Sequence, residues 1–497
     1  MSVFKQLAGE TMYYGISSIL GRILHFIVLT PFYTDIFSKT EYGLVTELFT
    51  YSAILMVLFT FRMETTFFRF GSDPGKFERS FSTSALFLLF STLAFVIPLW
   101  IFSDQIAASF SLEGQSYYIK LILLIIGFDT LAAIPFAKLR LEQKPRKFAI
   151  LKVLNVLINL FFVLFFLWFV PNFGAESSWG VIKSMNLDGT GVVYVFWSGL
   201  IASTLIFLLL LGTFKGIKLQ FDFSLWRKML GYTLPLVLVG FCAVFNKEAG
   251  YLFLKYLLGD SVEEARGVIG IFSANVKLAV IMSLFTQAYN YAIEPFFFNN
   301  KHREDNRQLY ADSTMLYTMV TSIAFVAILG FLPILKFIIR NEEMYEGLGV
   351  VPFLLFAYIL LGIYYNLSVW FKLTDRTIYA SIIAISGSIV TALVAIWTIP
   401  TWSYYGVAMA ALACYLVMVS LSYYWGQKYY KIPYRVGRMG LYLLLAAVVN
   451  GLRKMIVDMT QPSFTIELLY GLITVVLFML IIWQLDRKFL TGLLSRK

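Results

Sequence analysis

Charge is scarce in this sequence. Asp, Glu, Lys and Arg make up 14% of its 497 residues, where a water-soluble globular domain carries about 25%. Cysteine occurs twice, as Cys242 and Cys414, each inside an apolar run, which argues against a disulfide framework and a cysteine metal site. Histidine also occurs twice, as His25 and His302. There is no nucleophile elbow, no phosphate-cradling glycine loop and no metal-ligand cluster. Long hydrophilic stretches are missing too, which leaves no room for a soluble catalytic module. An enzyme is therefore the least expected class, and no metal or cofactor is expected. The opening MSVFKQLAGE lacks a small-residue cleavage site, so the first apolar run is expected to be a retained span.

What remains is overwhelmingly apolar: 59% hydrophobic residues and a mean hydropathy of +0.76. A spanning helix needs about 20 mostly apolar residues to cross a hydrocarbon core of about 30 Å. Fourteen segments qualify, at 12–36, 44–66, 81–102, 118–137, 148–170, 190–213, 229–254, 268–297, 312–335, 349–371, 378–399, 404–426, 439–457 and 464–485. Their length, and the lack of two-residue alternation, predict helices rather than strands. The expected fold class is an all-α polytopic membrane protein.

The net charge of +11 would point to nucleic acid in a soluble chain. Its distribution says otherwise. With the N-terminus in the cytoplasm, 26 Lys and Arg fall on the inner side. Eight fall on the outer side: Lys39, Lys183, Lys255, Arg266, Lys336, Arg340, Arg453 and Lys454. That bias is the inside-positive rule, and it accounts for the densest basic loop, KLRLEQKPRK at 138–147. Both termini are then cytoplasmic, and nucleic acid is not an expected partner.

Six basic residues lie within the spans: Arg22, Arg62, Lys120, Lys152, Lys247 and Lys277. Each costs at least about 2.5–3.5 kcal/mol at the bilayer centre unless it faces a cavity or a partner. Lys120 and Lys152 lie near helix ends, where long stems reach the interface. Arg62 is near the inner end of the second helix, with Glu64 close by. Arg22 is about ten residues, or about 15 Å, from either end of its helix, too deep to snorkel. Lys277 is similarly deep, and Lys247 neighbours Glu248. Polar residues also share sectors at 100° per residue. Thr11, Gly15, Ser18, Arg22 and His25 do so on the first helix, Lys152, Asn155 and Asn159 on the fifth, and Ser283, Gln287, Asn290 and Glu294 on the eighth. Such stripes line water or act as interhelical glue. Asp129, Glu47, Glu64 and Glu248 are the acidic groups placed to oppose the deep cations. Deep cations suit an anionic substrate, since Arg binds phosphate oxygens in bidentate fashion.

Several stretches resemble the polysaccharide-flippase branch of the multidrug/oligosaccharidyl-lipid/polysaccharide exporter superfamily, in the style of Bacteroidetes-type bacteria. They are YYGISSILGRILHFIVLTPFYTDIFSKTEYG, YTLPLVLVG, KYLLGDSVEEARGVIGIFSANVKLAVIMSLFTQAYNYAIEPFFF and NLSVWFKLTDRTIYASIIAISGSIVTALVAIWTIPTWSYYGVAMAAL. The resemblance implies two six-helix lobes, 1–228 and 229–438, around a central cavity, with an added helix pair and basic tail at 439–497. It also implies a flippase of the bacterial inner membrane, translocating an undecaprenyl-diphosphate-linked oligosaccharide by alternating access for lipopolysaccharide or capsule export. By helix and depth, Arg22, Arg62 and Lys277 match the family's diphosphate-binding cations, with Lys247 and Lys152 as further basic candidates. His25, Asp129, Glu64, Glu248, Asn155, Asn159, Gln287 and Glu294 are the cavity or coupling candidates, for H+ or Na+. The implied partners are the polyprenyl-diphosphate-linked glycan, membrane lipid, and a polysaccharide polymerase or glycosyltransferases. One departure is Gly250-Tyr251, where relatives carry Asp-Arg. The rival classes are an organic-cation antiporter of the same superfamily, which would depend on Asp129 or Glu248, and a non-transporting scaffold of a glycan-synthesis complex.

Overall fold

The computed structural model describes residues 20–73, 75–173, 191–259, 261–299 and 306–495. Among them, thirteen helices are long and apolar enough to cross a membrane. They coincide one for one with the second to fourteenth predicted spans, and no strand is present among the described residues. The first span is described from residue 20 onward as α1 (20–36), so Thr11, Gly15 and Ser18 lie outside the described residues. The others are α2 (Lys39–Gly71), α3 (Phe77–Ile101), α4 (Ser116–Leu141), α5 (Pro145–Asn172), α6 (Val192–Phe214) and α7 (Phe223–Leu257). They continue with α8 (Val262–Asn299), α9 (Asn306–Gly330), α10 (Glu342–Leu373), α11 (Ile378–Trp402), α12 (Tyr404–Tyr429), α13 (Val436–Thr460) and α14 (Phe464–Ser495).

The helices begin where local chemistry allows. Ser38 caps α2 in a capping box: its hydroxyl accepts from Glu41 N–H at 3.3 Å, while Glu41 accepts from Ser38 N–H at 2.9 Å. Asp222 caps α7 by accepting from Leu225 N–H at 2.9 Å. Pro98, Pro135, Pro235 and Pro400 lie inside helices, a usage common in membrane spans and rare in soluble ones.

Cα packing divides the chain into two compact units, Met1–Gly270 and Ile271–Lys497. In the first, α4 packs against α2, α3 and α6, and α5 packs against α6. The helix α7 lies along α2. The inner ends of α2, α3, α4 and α7 share a core of Met63, Phe67, Phe81, Leu88, Ile134, Leu225 and Met229. The unit therefore runs on past residue 228, where the resemblance ends its first lobe. Lipid tails are as apolar as these side chains, so close dispersion packing, rather than escape from water, holds the seam together. Lys138 belongs to this inner end. Only 7% exposed, it donates to the Thr213 carbonyl at 2.5 Å and lies over the Phe81 ring. It is thus an anchor inside α4, whereas the charge pattern counts it with the basic loop.

In the second unit, α9 packs against α10, α13 and α14, while α12 packs against α10 and α11. Thr314, Thr318 and Thr321 on α9 are buried and return their hydroxyls to their own helix carbonyls. This satisfies polar groups without needing water.

Candidate functional site

The helix α2 is broken. Its α-helical parts, Lys39–Thr60 and Met63–Gly71, flank Phe61 and Arg62, whose φ angles are 49° and 51°. A non-glycine residue in the left-handed region costs about 1–3 kcal/mol, and such strain collects at functional sites. Two in succession within a membrane helix also interrupt its hydrogen-bond ladder, which another group must satisfy. Here the Thr233 hydroxyl of α7 donates to the Phe61 carbonyl. The Arg62 side chain lies against Gly240 of α7, where a Cβ would overlap the guanidinium. The residue is exposed. Among the described residues no side-chain hydrogen bond or ion pair engages that guanidinium.

Residues Arg22 and His25 lie on α1. The helix widens there into a π-helical turn, His25–Leu29, closed by Thr30 N–H donating to the His25 carbonyl. Turns of this kind recur at functional sites. Arg22, one position before the last α-helical residues, is exposed, and His25 is half-buried with its ring edge-on to Tyr33 at 6.4 Å.

Asp129, Glu64 and Glu248 each have basic company. Asp129 of α4 hydrogen-bonds Ser203 of α6 and faces Lys152 of α5. Lys152 turns inward, its ammonium 4.1 Å from the Phe136 ring centre, and also feels Glu64 and Arg140. Glu64 pairs with Arg140 at 2.6 Å, not with neighbouring Arg62. Glu248 pairs with Lys247, whose side chain is exposed. Asn155 and Asn159 are half-buried on α5, with Asn159 against Gly199 of α6.

A third arrangement went unread in the sequence. Glu47 of α2 is 1% exposed and holds two cations. Lys255 Nζ at the end of α7 lies 2.5 Å from one carboxylate oxygen, and Arg266 Nε at the start of α8 lies 2.8 Å from the other. The Phe110 carbonyl takes further bonds from both, at 2.8 and 3.2 Å. The Tyr51 hydroxyl adds a bond to Glu47 at 3.2 Å. Close approach makes this possible: a Cβ on Gly43 would overlap the Arg266 carbonyl, and one on Gly270 would overlap the Lys39 carbonyl. The charge pattern counts Lys255 and Arg266 as outer-loop residues. The available signal was the small-residue spacing of Gly267 and Gly270, together with an intramembrane Glu47 on another helix.

In the second unit, α8 carries Lys277, half-buried, and Gln287, whose amide donates to Ser283 one turn back at 3.2 Å. The side chain of Glu294 lies outside the described residues. The polar groups that tie α8 to its neighbours were not singled out. The hydroxyls of Thr286 and Tyr317 meet at 2.8 Å, and Tyr289 donates to Asn366 at 2.8 Å.

No protein-family model and no curated protein matches the sequence. Solved structures do match. A structure of the lipid II flippase MurJ in an inward closed conformation superposes with a TM-score of 0.71 at 15% identity, covering 94% of this chain and 98% of that one. An inward-facing multidrug resistance MATE transporter of the MOP superfamily gives 0.57 at 13% identity, over 85% and 98%. The chain shares the fold of these two structures. An outward-facing MATE transporter of that superfamily also superposes, at 0.54 and 15% identity, over 87% and 96%. The chain is thus a multi-pass membrane protein that shares this fold along nearly its whole length.

Proposed function

We propose that this chain is a flippase that moves an undecaprenyl-diphosphate-linked oligosaccharide across the bacterial inner membrane for cell-surface polysaccharide export. The observation that carries this reading is Arg62: a guanidinium displayed at a strained break in an apolar helix, with no carboxylate paired to it among the described residues. Discontinuous helices line the substrate sites of many transporters, and a fork of N–H donors suits two phosphate oxygens. Asp129, Glu64 and Glu248 each face a basic side chain, which disfavours an organic-cation site. Arg22 is the second cation of the proposal. Lys277, on the α8 stretch in the second unit, is a separate candidate to be tested by itself.

The transport cycle we infer is alternating access, with lobes of residues 1–228 and 229–438 rocking against each other while the polyprenyl tail stays in lipid. Glu47, on α2, with Lys255 on α7 and Arg266 on α8, would then be an outer latch that opens once per cycle. A coupled H+ or Na+ would act at Asp129 or Glu248 by competing with the lysine partner. A polymerase or glycosyltransferase would supply and consume the cargo.

The test is complementation. In a strain lacking the gene, Arg62→Ala and Arg22→Ala should fail to restore surface glycan and should accumulate the lipid-linked precursor, while Arg62→Lys restores part. Full export by Arg62→Ala would overturn the reading.

A further inference from the structure

A cavity of about 540 Å³ opens in the second unit, far along the chain from the residues above. It is lined by the ends of α9 and α13, the starts of α10 and α14, and the segment between α9 and α10. All of these ends are outer ones under the charge-based orientation. Its size is that of a small-molecule site, and its lining is divided. Phe325, Leu329, Leu348 and Phe353 form an apolar wall, while Lys336, Arg453, Lys454, Asp458 and Glu467 supply charge of both signs.

Arg453 is the best-placed of these. One guanidinium nitrogen, Nη2, donates to the Leu329 carbonyl at 2.8 Å, at the end of α9 where helix carbonyls lack partners. The other two, Nε and Nη1, are buried without a hydrogen-bond partner. The Asn450 side chain, 6% exposed and one turn away on α13, gives its amide N–H to the Ala446 carbonyl and leaves its oxygen buried and unbonded. Orphaned charged donors cost far more than neutral ones. The Nε–H and Nη1–H bonds point to different sides of the guanidinium, so each is a separate charged donor for an anionic oxygen. Asp458 and Glu467 act electrostatically on the same guanidinium. They would repel a multiply charged free phosphate but would welcome an ammonium.

We propose that this cavity binds the headgroup of a zwitterionic phospholipid of the ethanolamine class. The phosphodiester takes a charge-assisted bond from Nη1 of Arg453, the ammonium faces Glu467 and Asp458, and an acyl chain lies on the Phe325–Phe353 wall. The site is independent of the flippase reading, because it uses none of the residues assigned to the cargo.

Native mass spectrometry of the full chain in detergent tests it, with phosphatidylethanolamine, phosphatidylglycerol, glycerophosphoethanolamine and inorganic phosphate added in turn. The wild type should retain phosphatidylethanolamine about tenfold more tightly than phosphatidylglycerol, and should show no adduct with inorganic phosphate. Glycerophosphoethanolamine should bind only weakly, because it lacks the acyl chain. Arg453→Gln should weaken both lipids by about tenfold or more. Glu467→Gln should bring the two lipids close to equal affinity. Should Arg453→Gln unfold for want of the Leu329 contact, Lys336→Gln at the cavity edge replaces it, with a severalfold loss and an unchanged melting temperature. Wild-type retention in both the arginine and glutamate variants, or binding of inorganic phosphate as tight as that of lipid, would overturn the proposal.

Discussion

Glu47 and Arg62 lie on the same helix in opposite circumstances. Glu47 is sealed, held by Lys255, Arg266 and Tyr51, and nearly inaccessible. Arg62 stands at a break in the backbone, exposed, with its side chain against a glycine of the neighbouring helix. Both face α7. Position on the helix therefore does not explain the difference; the partners supplied by α7 and α8 do. Where α7 offers Lys255, α2 is tied down. Where it offers Gly240, α2 presents a cation. One end of the seam is built to hold and its middle is built to receive.

The contrast can be broken most forcefully at Glu47. Removing one member of a buried charge cluster leaves the others uncompensated, at a cost of about 3–5 kcal/mol. Glu47→Ala should lower the melting temperature of the detergent-solubilised protein markedly and abolish export. In the same background, Tyr51→Cys should become reactive to an impermeant maleimide from the outside. An unchanged melting temperature would mean that the cluster holds nothing.

Arg62→Ala should do the reverse. Stability should hardly change, because no described residue hydrogen-bonds or pairs with the guanidinium. Export should fall by about a hundredfold, the size expected when a charge-assisted contact of about 3 kcal/mol is lost. Asp129→Asn comes next in size. It removes the carboxylate that acts electrostatically on Lys152 and bonds Ser203, and should cost roughly 1 kcal/mol in thermal stability. Gly240→Ala should be milder, with a severalfold drop in export, since the methyl forces Arg62 to shift without removing it.

The smallest effect is at the start of α7. Hydrogen bonds from Leu225 N–H and the Ser224 hydroxyl hold the Asp222 carboxyl below its usual range. The ionised cap therefore stabilises the fold in full above the ordinary carboxylate pKa. That contribution fades as pH falls through the depressed native value. Asp222→Ala should lower the melting temperature slightly at neutral pH and remove this acid-side dependence.

Much of this was legible in the sequence. The spans were, because apolar windows of membrane length leave little alternative, and thirteen of them are helices where expected. Arg22 stood out by depth, and Arg62 through the resemblance. The break at Phe61 and Arg62 did not, because neither residue is a glycine or proline and the left-handed backbone is imposed by contact with Thr233 and Gly240. The Glu47 cluster was missed for a similar reason. Lys255 and Arg266 read as loop charges, and only the close crossing at Gly43 and Gly270 draws them inward. Lys152 reads equally as snorkelling or cavity-facing until the Phe136 ring of α4 is placed beside its ammonium. Pairings across long sequence separations leave no periodic trace.

The most direct test of the central claim is binding of undecaprenyl diphosphate to the purified chain, comparing wild type, Arg62→Ala and Gly240→Ala by native mass spectrometry. The diphosphate carrier should bind the wild type, bind Gly240→Ala more weakly, and lose about tenfold or more in affinity for Arg62→Ala. Equal affinity for all three proteins would contradict the account.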